Sequence, residues 1–218
     1  MKLVVVTSDH YVDAVPLFFR ALDKFWHDCP MKTELVYCEM PPVLSDKKPD
    51  SIVKLGMDQG WITNMIHYLK TPFGTEEPFL LMLEDYLICD VDRDVMKAAE
   101  SAIAGPDVDM VRVRPTPGPT LPFSLPGIGQ IDKNEPYSMS LQAAIWKPKA
   151  LLRILEAVSA AGGKSPWDLE ITGSKIVAKM DTGLFLGTEV TGVSAYNLYR
   201  RGKKVPDVVK WAKENLEV

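Results

Sequence analysis

The amino-terminal part of the chain alternates between short apolar runs and stretches with helical periodicity. Residues 2–6 form an apolar run rich in valine, which is typical of a strand buried on both faces of a parallel sheet. Apolar positions then recur at helical spacing over residues 15–26, and Cys29-Pro30 ends that predicted helix. Residues 34–38 predict a second strand. A strand, a helix and a strand joined by short connections indicate α/β architecture.

The same alternation continues along the rest of the chain. The most hydrophobic predicted strand, residues 79–83, is expected at the centre of the sheet, and it runs directly into Glu84 and Asp85. Further strands are predicted over residues 109–113, over 137–146 and within 182–193. Helices are predicted over residues 62–69 and 92–104, from Pro148 to Gly162-Gly163, from Ser165-Pro166 onward, and over 205–216.

Residues 115–136 differ from these regular stretches because they contain six prolines and three glycines. We expect no regular element at that density of proline and glycine. A loop of this length inside a compact domain is unusual and tends to be functional. Because strong elements lie on both sides of it, we interpret the segment as a lid or acceptor-side loop rather than a domain linker.

The composition excludes several classes of protein. The chain has 218 residues, of which 46% are hydrophobic and 25% charged, so disordered, collagenous and coiled-coil proteins are excluded. The longest apolar runs are far shorter than the ~20 residues of a membrane span. With no signal-peptide layout at the amino terminus, we expect a cytoplasmic location. The three cysteines form no CxxC pair, which argues against a disulfide framework or a structural zinc site.

Two adjacent carboxylates at the end of the central strand are the strongest chemical signal. Open α/β sheets bind ligands at the carboxyl ends of their strands. There, Glu84 and Asp85 can hold a divalent metal that neutralises a diphosphate. The alternative, given equal weight, is that both residues simply begin a solvated loop. Asp90, Asp92 and Asp94 lie at a helix start, where carboxylates cap free amides.

A polar turn follows the first strand. Thr7, Ser8 and Asp9 lie where hydroxyls and a carboxylate would meet a nucleotide base or ribose, although Ser8 or Asp9 can equally cap the helix that follows. The chain contains no GxGxxG, P-loop or HExxH motif and no Ser/His/Asp order. Dinucleotide enzymes, P-loop enzymes and zincins therefore lose support.

Two motifs lie in the carboxyl-terminal third. Ser165 and Asp168 have the spacing of a capping box, which gives Asp168 a structural role. Glu170 has no such role and is the better candidate for a general base, while Trp167 can stack on a sugar or simply pack. Near the end of the chain, a basic cluster can meet a diphosphate or form a solvated turn, and it consists of Arg200, Arg201, Lys203 and Lys204.

Taken in order, these stretches resemble small bacterial or phage glycosyltransferases of the GT-A type, which are nucleotide-diphospho-sugar transferases. The matching stretches are residues 4–13 with Phe18-Phe19 and 25–30, then Gly60-Trp61 with residues 81–86, and finally residues 140–146 and 165–170. The resemblance implies a GT-A-like α/β fold with a mostly parallel Rossmann-type sheet and helices on both faces. It also implies a single domain, with a nucleotide-sugar-binding half over about 1–114 and an acceptor-facing half over about 115–218.

The resemblance further implies a reaction and a set of site residues. A hexosyl group would pass from a nucleotide-diphosphate donor to an acceptor hydroxyl with inversion, and Glu170 or Asp168 would be the base. Glu84-Asp85 replaces the family's Asp-x-Asp, which leaves metal dependence open. The leaving diphosphate would be stabilised by manganese or magnesium on Asp85, or by the basic cluster if no metal binds. Trp61 would join the donor site, and Gln142 and Trp167 the acceptor side. The implied donor-binding residues are Thr7, Ser8, Asp9, Trp61, Glu84, Asp85, Arg200, Arg201, Lys203 and Lys204.

Three questions stay open at this point. The acceptor is a glycan, a lipid-linked sugar, a protein or a modified DNA base, and the net charge of −4 argues against DNA. A phage-encoded enzyme would act in the host cytoplasm. A nucleotidyltransferase is an alternative, although the turn after the first strand lacks the glycines and basic residues usual in that class. A non-catalytic nucleotide- or sugar-binding relative is the other alternative.

Overall fold

The computed structural model describes residues 1–44, 47–71 and 76–216. Six helices lie within these ranges: α1 (Val15–Phe25), α2 (Trp61–Lys70), α3 (Arg93–Ile103), α4 (Pro148–Ala160), α5 (Pro166–Val177) and α6 (Pro206–Asn215). The strands are β1 (Lys2–Val6), β2 (Lys32–Tyr37), β3 (Ser51–Lys54), β4 (Phe79–Leu83), β5 (Tyr86–Val91), β6 (Val108–Arg112), β7 (Leu121–Pro122), β8 (Ile128–Gln130), β9 (Ala144–Trp146), β10 (Leu184–Thr188), β11 (Val193–Asn197), β12 (Tyr199–Arg200) and β13 (Lys203–Lys204).

Nine of the strands form one sheet in the order β3-β2-β1-β4-β9-β6-β10-β8-β7. The first four are parallel, and β6 is parallel to β10. Strand β9 is antiparallel to both of its neighbours, β4 and β6, and therefore joins the two parallel blocks. The carboxyl ends of β1, β2, β4 and β6 thus lie at one edge, called the carboxyl edge below.

The sheet is buried on both faces, as the valine-rich first strand predicts. Leu3 and Val5 belong to a core with side chains of α1, α3 and α6. Val4 and Val6 belong to a second core with α2, α4 and α5. Successive strand residues point to opposite faces, so one uninterrupted apolar run supplies both cores. The predicted α/β class, with a mostly parallel sheet and helices on both faces, is confirmed.

Strands β3 and β5 are among the strands that were not predicted from the sequence. Strand β3 lies in the polar stretch after Pro49 and forms the edge of the large sheet, where only Val53 is buried. Strand β5 follows Asp85 directly and pairs with β11 in a separate two-stranded sheet. Because both strands depend on pairing with distant partners, local periodicity does not reveal them.

The expectation that residues 115–136 hold no regular element is wrong. Strand β8 pairs with β10, and β7 pairs with β8, so the segment extends the large sheet at its edge. A Cβ on Gly129 would lie 2.7 Å from the Pro119 Cβ, so glycine is required there. The predicted strand over residues 137–146 is also too long, because only Ala144–Trp146 pairs with the sheet.

A buried arginine holds the two ends of this proline-rich segment. The Arg112 guanidinium donates to the carbonyl oxygens of Pro117 (2.6 Å), Tyr137 (3.0 Å) and Ser138 (2.7 Å). Burial lowers the pKa of Arg112 to about 10, so the side chain stays charged at neutral pH. Carbonyls of the chain, rather than a paired carboxylate, therefore stabilise this charge.

Among the described residues, none of the helices has the length and apolar character that crossing a membrane would require.

Candidate functional site

The chain connections around β1 lead to opposite sides of that strand, and polar residues meet at this switch point. After β1 the chain passes through α1 to β2 and then to β3 on one side of β1. It then returns through α2 to β4 on the other side. Ligands of open α/β sheets bind at the carboxyl ends of strands beside such a switch point. Thr7 follows β1 and Glu84 follows β4, and a hydrogen bond of 3.2 Å joins Thr7 Oγ1 to Glu84 Oε1.

Glu84 is buried at the carboxyl edge, with 5% of its surface exposed. Burial and the adjacent Asp85 carboxylate raise the pKa of Glu84 to about 8. The Thr7 hydroxyl and the Ser8 backbone N–H oppose that shift by hydrogen bonding to the carboxylate. Glu84 is therefore held in place by the first βα turn and is largely uncharged at neutral pH.

Asp85 lies beside Glu84 but remains partly open to solvent. Burial raises its pKa to about 6, while hydrogen bonding from the Tyr199 backbone N–H and the charge of Arg114 act in the opposite direction. Its carbonyl oxygen also accepts from the Leu198 N–H at 2.8 Å. Asp85 is thus the more accessible carboxylate of the pair and is mostly ionised at neutral pH.

The carboxyl edge supplies few protein ligands for a metal. Among the described residues there is no group of three or more His, Cys, Asp or Glu side chains able to hold one. Magnesium sites on substrate phosphates often use only one or two carboxylates, with the phosphate oxygens and water completing the shell. The Asp85 carboxylate therefore fits a metal that is shared with a bound diphosphate, and it does not fit a site made by protein ligands alone.

Two predicted donor-binding residues lie on the β2 side of the switch point. Asp9 Oδ1 accepts from the backbone N–H groups of Glu39 and Met40, each at 3.0 Å, and so ties the turn after β1 to the loop after β2. Trp61 is the first residue of α2 and is buried, and its indole Nε1 has no hydrogen-bond partner within the described part of the chain. Asp9 therefore has a structural role, while the Trp61 indole N–H is an enclosed donor without a partner.

The predicted basic cluster forms a two-stranded hairpin. Strands β12 and β13 pair through Tyr199 with Lys204 and through Arg200 with Lys203. At the tip, Arg201 and Gly202 have φ values of 52° and 74°, as a tight hairpin turn requires. Arg200, Arg201 and Lys203 are exposed and take part in no ion pair with any described residue.

The base of this hairpin is attached to the loop after β1. The Tyr199 hydroxyl donates to the Asp13 carboxylate at 2.7 Å, and Lys204 Nζ lies 2.6 Å from Asp13 Oδ2. The rings of Tyr11 and Tyr199 also pack with their centres 4.6 Å apart. Since the Tyr199 N–H reaches Asp85, the hairpin connects the first βα turn with the acidic strand end.

The motif on α5 forms the predicted capping box. Ser165 Oγ accepts from the Asp168 N–H, and Asp168 Oδ2 accepts from the N–H groups of Lys164 and Ser165 and from the Ser165 hydroxyl. These hydrogen bonds lower the pKa of Asp168. A carboxylate that is stabilised in its charged form is a weak base, so the structure disfavours Asp168 as the catalytic base.

The expectation that Glu170 has no structural role is wrong. Its Oε1 accepts from the Leu141 N–H at 2.8 Å and from the Ser140 hydroxyl at 3.1 Å. Residues 140 and 141 lead into β9, so Glu170 positions the chain that reaches the carboxyl edge. Its second oxygen, Oε2, makes no hydrogen bond within the described part of the chain, and it stays available for chemistry.

The two predicted acceptor-side residues occupy different environments. Pairing of Ala144 with Leu81 and with Arg112 places Gln142, two residues earlier, at the carboxyl edge between β4 and β6. Its Oε1 is buried and has no hydrogen-bond partner among the described residues. Trp167, in the first turn of α5, is 62% exposed and belongs to neither core. Trp167 therefore offers an exposed ring, whereas the Gln142 amide oxygen is enclosed.

Sequence reasoning missed a cluster beside Asp85. Arg114 Nη1 donates to Asn197 Oδ1 at 3.1 Å, and its guanidinium carbon lies 5.7 Å from the centre of the Tyr86 ring. Asn197 also lies opposite Tyr86 in the pairing of β11 with β5. A cation directly after the strand predicted over residues 109–113, just before the proline-rich segment, was the signal available for it in the sequence.

Comparisons with known proteins are informative for the fold. No protein-family model and no curated protein matches the sequence. A solved UDP-glucose pyrophosphorylase complexed with UDP-glucose is similar over 100% of this chain and 98% of its own, with a TM-score of 0.52 and 12% identity. TarS 1-349 from S. aureus is similar over 89% of this chain, with a TM-score of 0.53 and 16% identity. This chain matches 60% of that TarS chain. The chain thus has a GT-A-like α/β fold, which it shares with these two structures.

Proposed function

We propose that this protein is a glycosyltransferase that moves a sugar from a nucleotide-diphosphate donor to an acceptor hydroxyl, with inversion at the anomeric carbon. The observation that carries the proposal is the pairing of Thr7 with Glu84 at the β1–β4 switch point. There, Asp85 lies next to a basic hairpin attached to the same turn. A carboxylate and a set of free cations around one strand end suit a diphosphate ligand.

In this proposal the nucleotide lies along the first βα turn, with Thr7, Ser8, Asp9 and Trp61 on its side of the site. Asp85 faces the diphosphate, and Arg200, Arg201 and Lys203 approach it from the hairpin. When bound at Asp85, manganese or magnesium would offset charge on the leaving diphosphate. Glu84 stays uncharged and fixes the geometry of the turn.

Glu170 is the proposed general base. Its Oε2 would accept the proton of an acceptor hydroxyl as that oxygen attacks the anomeric carbon, while Oε1 remains bound to Ser140 and Leu141. A base held in this way contributes about 10²–10⁴-fold to the rate. Gln142 and Trp167 would contact the acceptor, because Gln142 is only partly buried at the carboxyl edge and Trp167 exposes its aromatic ring.

Nucleotidyl transfer is the second candidate, favoured by the full-length similarity to the UDP-glucose pyrophosphorylase. Against it, the turn after β1 reads Thr7-Ser8-Asp9-His10 and has neither glycine nor lysine nor arginine. Within this turn, Asp9 binds two backbone amides of the next loop. A turn with this composition offers no phosphate cradle for a nucleoside triphosphate.

The test is a thermal-shift screen of UDP-, GDP-, CMP- and dTDP-linked sugars, each with and without manganese. A donor at 100 times its dissociation constant adds about 2.7 kcal/mol of stability, which gives a clear shift. The stabilising donor is then assayed for sugar release to water and to acceptor mixtures. Release of a nucleoside triphosphate on adding pyrophosphate would instead support the pyrophosphorylase chemistry. Binding without any turnover would indicate a non-catalytic relative, and no stabilisation by any donor would contradict both enzymes.

A further inference from the structure

Arg114 is a cation at the carboxyl edge that the proposed roles do not use. It lies two residues beyond the end of β6, and the β6–β9 register places it level with Gln142. Its guanidinium is held by the Asn197 amide oxygen at 3.1 Å and lies over the Tyr86 ring. These two contacts orient the guanidinium, and among the described residues they engage only one of its five N–H donors.

No ion pair involves Arg114 across residues 1–44, 47–71 and 76–216, where no carboxylate oxygen comes within 4.0 Å of its guanidinium. Asp85 is near enough to feel its charge but does not pair with it directly. The exposed Arg93, by contrast, forms a two-point pair with Asp28. A half-buried guanidinium with a neutral partner keeps its hydrogen-bonding capacity for an incoming anion.

We propose that Arg114 binds a phosphate-type anion of the ligand that lies over Asp85. The fixed planar fork suits two oxygens of one phosphate, and its charge offsets the repulsion that Asp85 would exert on that anion. The anion belongs either to the donor diphosphate or to an anionic acceptor. If the anion belongs to the donor diphosphate, the inference rests on the proposed function. If Arg114 simply binds an anion, the inference is independent of that function.

The test compares wild type with Arg114→Met and Arg114→Lys, and uses Arg153→Met as the matched control. Arg153 is an exposed arginine on α4 that donates to a backbone carbonyl, that of Asp181, away from the carboxyl edge. Calorimetry measures the affinities of UDP, GDP, CDP and dTDP and of the matching monophosphates. A second titration measures binding of inorganic phosphate to the free protein and to the protein saturated with the best diphosphate.

If the anion is the donor's, Arg114→Met weakens diphosphate binding by roughly tenfold to a hundredfold, whereas the affinity for the monophosphate changes much less. If it is the acceptor's, diphosphate affinity stays unchanged, and inorganic phosphate binding to the saturated protein is lost. Arg153→Met behaves as wild type in both cases. If the Met variant fails to fold, Arg114→Lys provides the test. Lysine keeps the charge but loses the planar fork, so the affinity measured in the same titration is expected to fall several-fold.

Wild-type affinities for every probe in Arg114→Met would overturn the inference and leave the proposed function standing. If no nucleoside diphosphate binds the wild type, the proposed function fails instead. Inorganic phosphate binding to the free protein then decides the inference. Loss of phosphate binding in Arg114→Met supports an anion site. The inference is overturned if the wild type does not bind phosphate, or if the variant still binds it.

Discussion

Glu84 and Asp85 are neighbours in the chain with different environments. They form the two-residue turn between β4 and β5, where one carboxyl enters the core while the other stays partly open. Burial therefore raises the pKa of Glu84 further than that of Asp85. We infer that Glu84 organises the turn and that Asp85 is the carboxylate available to a ligand.

The raised pKa of Glu84 predicts a pH dependence of stability. A group whose pKa is higher in the folded state stabilises fully below its unfolded pKa, and this contribution is lost as pH rises towards the folded pKa of about 8. The raised pKa of Asp85 changes stability in the same direction, and its contribution is lost as pH rises towards about 6. The free energy of unfolding, measured by urea denaturation, should therefore fall between pH 6 and 8. The slope is on the order of 1 kcal/mol per pH unit.

Glu84→Gln should flatten this fall between pH 6 and 8, since glutamine carries no titrating proton. The exposed Glu189 provides the matched control, and Glu189→Gln should keep the wild-type slope. Parallel curves for wild type and Glu84→Gln would show that Glu84 does not titrate in this range.

Glu170 tests the difference between a base and a positioning residue. Glu170→Gln retains an oxygen that can accept from Ser140 and Leu141, but it removes the basicity. If Glu170 is the base, turnover falls by about 10²–10⁴-fold while donor affinity, measured by calorimetry, is unchanged. Near-normal turnover would limit Glu170 to positioning the lead-in to β9. As a control, Asp168→Asn should lower stability by roughly 1 kcal/mol and keep its turnover.

At the scale of elements, the proline-rich segment is a sheet extension with anchored ends. Strand β8 attaches its second half to β10, and Arg112 binds carbonyls at both of its ends. The segment therefore cannot open as a whole without losing strand pairing and the Arg112 contacts.

Arg112→Met should destabilise the protein by about 2 kcal/mol, because it removes the donor to three carbonyl oxygens, of which that of Ser138 is buried. Limited proteolysis should then cut within residues 115–136 earlier than in wild type. The stability of Arg112→Lys, which keeps one cationic donor group, should lie between those of wild type and Arg112→Met. A Met variant as stable as wild type would mean that the cost of burying the guanidinium cancels its hydrogen bonds.

At the scale of the whole molecule, a net charge of −4 coexists with a local basic hairpin next to an acidic strand end. The hairpin is attached to the first βα turn through Asp13, so its cations are held near the proposed diphosphate. Attraction of this kind acts across several ångströms and weakens as salt is added.

Replacing Arg200, Arg201 and Lys203 together by alanine should weaken binding of the stabilising donor and reduce its dependence on salt. Stability should change little, since all three are exposed. Calorimetry at two salt concentrations measures both effects. The matched control replaces three exposed lysines elsewhere, Lys149, Lys179 and Lys213, and should bind as wild type does. Equal loss in both triple variants would point to overall charge rather than to the hairpin.

The features that could be predicted from the sequence are those that depend on local interactions. The valine-rich β1, the capping box of Ser165 and Asp168, and the carboxylates after β4 all follow from strand alternation, helix-end hydrogen bonding and chain continuity. These effects act over a few residues, so α/β class, most elements and the acidic strand end could be predicted from the chain alone.

Contacts between distant segments decided the rest. The antiparallel insertion of β9, the role of Glu170 in holding residues 140 and 141, and the placement of Arg114 beside Asp85 join residues that are 29 or more positions apart. Which side chain becomes buried, and which cation keeps its donors free, depends on the packing of the whole sheet. That packing has no local pattern in the sequence, and only the tertiary structure determines it.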